Sequence, residues 1–199
     1  MKTLLLTISL LTTLGTYAQN RNLKDNFTVL VREAEGDLNR DGIIDKVIVM
    51  MDTIDATVPL RIQISFSQPN STSKLILSST RIIEAQYPAH KKGEHNGNQI
   101  PNFYIENGNL EMVSDIKNGQ SEHKFKFQHG NFELIYFSKV IWDGKNTTTE
   151  TAFNLITGKR TEKVQSLGSD KIVRSSKNKV LLRPLPKLQN FATFEKELR

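Results

Sequence analysis

The densest run of oxygen-bearing side chains lies between Gly36 and Asp45, in the order Gly-Asp-Leu-Asn-Arg-Asp-Gly-Ile-Ile-Asp. With Asp37 as the first loop position, Asp37, Asn39, Asp41 and Asp45 stand first, third, fifth and ninth, and the Ile43 carbonyl stands seventh. Gly42 follows the fifth position, where a chain wrapped around one ion has to turn sharply. Alternate oxygens aimed at one point are what a hard cation needs, since Ca2+ takes about 6–8 oxygen ligands. The five groups of the loop leave the remainder to water or a distant carboxylate. A complete EF-hand carries a bidentate Glu at the twelfth position; here that position is Ile48, inside an apolar run. The competing account is a plain turn in which Asp and Asn bond their own backbone. Four oxygen side chains in register with a glycine favour calcium, held in a structural role.

Other constellations are weaker. His90, Glu94 and His95 share one stretch, but their spacing matches no zinc-protease helix, and Gly93 disfavours a helix there. That stretch reads as a solvated loop. His123 and His129 lie too far apart along an extended strand to share a metal, and both read as exposed. No Gly-x-Ser-x-Gly elbow, Ser-x-x-Lys set or phosphate-binding glycine loop occurs. The absence of cysteine removes thiolate metal sites, cysteine nucleophiles and disulfides. Trp142, beside Asp143 and near Tyr136, reads as a buried aromatic closing a sheet, with a sugar-stacking platform as the alternative.

The segment Gly36 to Val49 resembles the calcium loop of FG-GAP/VCBS-type repeats, in which this Asp/Asn pattern precedes an apolar strand. It occurs here once, so a multi-bladed propeller of such repeats is not expected. More loosely, Phe103 to Val164 is similar to the second half of uncharacterised exported bacterial proteins that carry one such loop. The resemblance implies an all-β exported protein whose metal ligands are Asp37, Asn39, Asp41, Ile43 and Asp45, and it implies no activity.

The elements that must hold this loop read as strands. Phe27 to Val31 is apolar and β-branched, a first strand or a short helix. Val47 to Met51 is apolar throughout, which predicts cover on both faces. Leu60, Ile62, Ile64 and Phe66 alternate with polar residues, as along a half-buried strand. Leu75 to Leu77 and Ile82-Ile83 are further strand candidates. Asn107-Gly108, Asn118-Gly119 and His129-Gly130 then recur at a fixed interval between strand-like runs. Asn-Gly at the centre of a two-residue turn predicts a hairpin, because both residues of a type I′ turn need positive φ. An antiparallel meander follows, continued by the Thr-rich run Thr147 to Ile156 and by Arg160 to Gln165. Only Phe191 to Leu198 reads as a helix. The expected architecture is all-β, mainly antiparallel meander and hairpins, sandwich- or barrel-like, with a short C-terminal helix. Residues 19–199 are read as a single domain, because two smaller units would each have a small core and open sheet edges.

Residues 1–18 read as an export signal. A short basic start at Lys2 leads into the run Leu4 to Leu14, and Thr16 and Ala18 supply small residues for cleavage after Ala18. The expected compartment is secreted or periplasmic, with no transmembrane span in the mature chain. The formal net charge of +6 is concentrated late, with nine Lys and Arg against two acids between Lys159 and Lys187. Such a stripe attracts anionic envelope components; it also suits a solvated, lysine-rich sheet edge. Few aromatics interleave with these charges, which argues against nucleic acid. The function expected from the sequence is a non-enzymatic binding or accessory module of the cell envelope that binds calcium, its partner a protein or an anionic glycan. The alternatives are an exported hydrolase acting on glycans through acidic residues in a cleft, and an inhibitor or immunity-type partner protein.

Overall fold

The structure, a computed structural model, describes residues 25–198. The expected leader and its cleavage point lie outside the described residues. Among these residues eleven antiparallel strands form two sheets. The first holds β1 (Phe27–Gly36), β2 (Asp45–Asp52), β3 (Leu60–Ser67) and β4 (Ser73–Ser79) in chain order. The second holds β5 (Asn102–Glu106), β6 (Asn109–Ile116), β7 (Gly119–Gln128), β8 (Asn131–Trp142), β9 (Thr147–Asn154), β10 (Lys159–Ser166) and β11 (Ile172–Lys179), again each beside its neighbour in the chain. Among the described residues there is one α-helix, α1 (Phe191–Leu198), which follows a 3-10 turn at Leu188–Asn190; another 3-10 turn spans Ala89–Lys91. The all-β architecture with a short C-terminal helix is therefore as the sequence predicts.

Alternation sets the core. In β3, Leu60, Ile62, Ile64 and Phe66 are buried while the residues between them are half-exposed. In β2, Val47 and Val49 are buried, whereas Ile48 and Met50 are only half-buried. The apolar run thus has one covered face and one partly covered face, rather than two covered faces, because the described residues leave the far side of the small sheet partly open. Ile82 and Ile83 form no strand; they are buried at a bend after β4. The two sheets share one apolar cluster, joined by Phe66 of β3 standing edge-on to Phe127 of β7 at 4.8 Å between ring centroids. Such pairs add about 0.5–1.5 kcal/mol to the area they bury.

The turns follow two rules. Asn107-Gly108 and His129-Gly130 have positive φ at both residues, as the hairpin signal predicts. The middle turn differs. Only Asn118 has positive φ, and Gly119 already belongs to β7. Its glycine is needed for another reason: a Cβ there would stand 1.9 Å from the Val140 carbonyl oxygen of β8. Two further departures concern side chains. Trp142 is 42% exposed rather than buried, and His123 is buried at 1% exposure rather than exposed. Both sit on strands of the meander, and a single sequence does not say which of two alternating faces is the inner one.

Burial falls steeply along the large sheet. Apart from the exposed Lys159, every residue of β10 is half-buried, and every residue of β11 is exposed. The sequence offers no alternating pattern for β11, which is why it did not read as a strand. After β11 the chain returns across the inner face. Pro186 accepts a hydrogen bond from the Leu134 amide, Lys187 bridges to Glu133, and Leu188, Phe191 and Phe194 are buried.

Candidate metal loop

The Asp-rich segment connects β1 to β2 and sits where the two sheets meet. Its entrance is fixed by Gly36, whose missing Cβ leaves room for Ile105 of β5; a Cβ there would fall 2.6 Å from the Ile105 Cγ2 atom. Leu38, between two polar neighbours, is 2% exposed and plugs the loop into the core. Arg40 takes φ 63° and its guanidinium donates to the Asn107 carbonyl at 2.8 Å, tying the loop to the β5–β6 turn.

Within the loop the acidic side chains receive the backbone. Asp37 Oδ1 accepts from the amides of Arg40 at 2.6 Å and Asp41 at 3.2 Å, and its Oδ2 accepts from Gly42 at 2.8 Å. Gly42 has φ 83°, which turns its N–H back toward the loop's first residue at no Cβ cost. Asn39 Oδ1 accepts from the Asp41 amide at 2.9 Å, while its Nδ2 donates to Asp41 Oδ2 at 2.8 Å. Asp41 Oδ1 accepts from the Ile43 amide at 2.8 Å. These three side chains are thereby brought together on one exposed turn; Asp37 Oδ1 already accepts two amides, while Asp37 Oδ2, Asn39 Oδ1 and both Asp41 oxygens accept one donor each and keep further lone-pair capacity.

Asp45 behaves differently. It is fully buried, and its two oxygens divide their bonds between the Leu38 amide at 2.8 Å and the Ser67 amide at 3.0 Å. It closes the loop across its base and fastens it to the end of β3. A buried carboxylate is costly unless hydrogen-bonded, and two charge-assisted bonds to backbone amides are the offset. Among the described residues, no three His, Asp or Glu side chains gather tightly enough to form a metal-ligand set by themselves.

Two open depressions of about 500 and 510 Å3 flank the loop. One is lined by Asn39 and Asp41 with Phe66, Lys74 and Phe127, the other by Asp37 and Arg40 with Ile105 and Asn107. Each carries a single carboxylate, so neither offers the paired acids that glycoside cleavage uses. The remaining sequence candidates are dispersed. His90 and His95 lie exposed in the segment between the sheets, His95 Nε2 within 3.0 Å of Gln86 Oε1. His129 is exposed on its turn, 3.4 Å from Glu133.

No family model matches this chain, and no curated protein or solved structure is significantly similar to it.

Proposed function

We propose that the chain is an exported calcium-binding β-protein, a non-enzymatic binding or accessory module of the cell envelope. The observation that carries this reading is the turn from Asp37 to Ile43, whose backbone amides hold two carboxylates and one amide side chain together around a glycine at φ 83°. That donor set is all oxygen, which suits a hard cation. Asp37, Asn39, Asp41, the Ile43 carbonyl and Asp45 are the ligands of this reading. Asp45 contributes through lone pairs beyond those its two amide donors occupy. Asn39 is the adjustable member, since its Nδ2 and an ion compete for Asp41 Oδ2. The ion neutralises clustered carboxylates and pins the entrance to β2.

Three further observations support a module without catalysis. The depressions beside the loop are open, each has one carboxylate, and no nucleophile motif occurs in the sequence. Export rests on the leader-like first residues. The described helices include none long and apolar enough to cross a membrane.

Titration calorimetry with calcium tests the reading, together with melting in calcium and in chelator. A ligand that binds only the folded state raises its stability by about 2.7 kcal/mol at a hundredfold excess over Kd. The expected result is a higher melting temperature in calcium, lost in Asp37→Ala and Asp41→Ala. Equal melting temperatures in calcium and chelator overturn it. Export is tested by the mass of the protein recovered outside the cytoplasm, expected to begin at Gln19.

A further inference from the structure

The far end of the large sheet is built unlike the rest of the molecule. β11 is the terminal strand, exposed along its whole length, and no described strand lies against its outer edge. The chain beyond it does not cover that edge, because Val180 donates back to Gly158 and Arg183 to the carbonyls of Leu155 and Ile156. An open edge of this kind presents backbone N–H and C=O groups without partners.

Its side chains define what fits. The β10–β11 register sets Lys159 directly across from Lys179 and Thr161 across from Lys177, so three lysines crowd one face. Like charges directly opposite each other destabilise a strand pair. Among the described residues, none forms an ion pair with any of these three. At the other end of the strand, Ile172 and Val173 are 53% and 58% exposed. Lysines alone would suit an edge kept apart from other strands; exposed β-branched residues at the far end of the same strand do not serve that purpose.

We propose that β11 is an acceptor edge for an extended acidic segment of another protein, which adds to the large sheet as an eighth strand. Backbone hydrogen bonds along the edge supply affinity, and alternate side chains of the incoming strand supply selectivity. Its acidic residues meet Lys177 and Lys179, and its apolar residues meet Ile172 and Val173. A second copy of this chain is a poor occupant. Two β11 strands paired antiparallel about Ser175 and Ser176 would set Arg174 against Lys177 in both directions. The inference rests on the edge and its charges, and stands apart from the calcium loop.

Fluorescence anisotropy tests it with a labelled eight-residue peptide of alternating Glu and Val, added to the folded protein. The expected result is saturable binding that weakens with salt, and weakens by about tenfold or more in the double variant Lys177→Glu, Lys179→Glu. A copy of the peptide with N-methylated backbone amides keeps every charge but cannot pair as a strand, and is expected to lose binding. That comparison needs no protein variant, so it holds even if the double variant folds poorly. No binding by the Glu-Val peptide overturns the proposal. So does equal binding of the methylated copy, or displacement of both peptides by heparin at equal concentration, which would mark a simple polyanion site. Concentration-dependent dimers in sedimentation, blocked by the Glu-Val peptide, would assign the edge to a second copy and also overturn it.

Discussion

The most exacting residue in the molecule is His123. It is 1% exposed, and neither ring nitrogen has a hydrogen-bond partner. Its ring lies 4.9 Å from those of Phe137 and Phe191 and is stacked with Phe125 at 6.4 Å. Burial pushes its pKa down to about 4, against a weaker upward pull from Glu122. The folded state therefore holds a neutral imidazole, while the unfolded chain protonates it near pH 6.5. Stability from this site is complete above pH 6.5 and is lost as the pH falls toward 4, by about 3 kcal/mol across that window. Urea unfolding of the protein and of His123→Met from pH 7.5 to 4 checks this. The variant is expected to keep more of its stability at acid pH, since other titrating groups are common to both. Asp45 gives a second test at this scale. Asp45→Ala strands the amides of Leu38 and Ser67 and is expected to cost about 2–4 kcal/mol in urea unfolding, with or without calcium. Loss of stability only in the presence of calcium would show Asp45 to act through the ion alone.

At the scale of elements, the hairpins show which signals a sequence carries. Turn chemistry is local, so Asn107-Gly108 and His129-Gly130 could be read in advance. The role of Gly119 is not local, because the Val140 carbonyl that forbids a Cβ belongs to the next strand. Gly119→Ala is expected to destabilise by roughly 2 kcal/mol or more, since one of the two backbones must shift. Circular-dichroism melting of the variant measures the effect, and an unchanged melting temperature would mean that β7 and β8 can separate freely there. The strands followed the same division. β3 was legible because one face is buried and one is not, which is what alternation encodes. β11 was illegible because both its faces are solvated, so no periodic pattern separates it from a polar loop. Of the candidate loop, the spacing and the glycine were legible. The double hydrogen bonding of Asp45 was not, since its partner Ser67 is contributed by a different strand.

For the molecule as a whole, the return of the chain after β11 decides how the core is sealed. Leu188, Phe191 and Phe194 are buried on the inner face, where Phe191 packs on His123 and Phe194 on Phe125. Leu188→Ala is expected to cost about 2–5 kcal/mol, as for other fully buried leucines. Removal of residues 188–198 is expected to leave the meander with an uncovered apolar face and strong binding of a hydrophobic dye. Dye fluorescence and gel filtration check this, and a monomer that binds no dye would show the segment to be dispensable. In both sheets each strand bonds only to strands adjacent in sequence. Assembly can thus proceed hairpin by hairpin along the chain, with little loop entropy to overcome at each step. One closure is of another kind: Lys187 must travel back to Glu133, so the hydrophobic interior stays ajar until the segment carrying Leu188, Phe191 and Phe194 arrives to shut it.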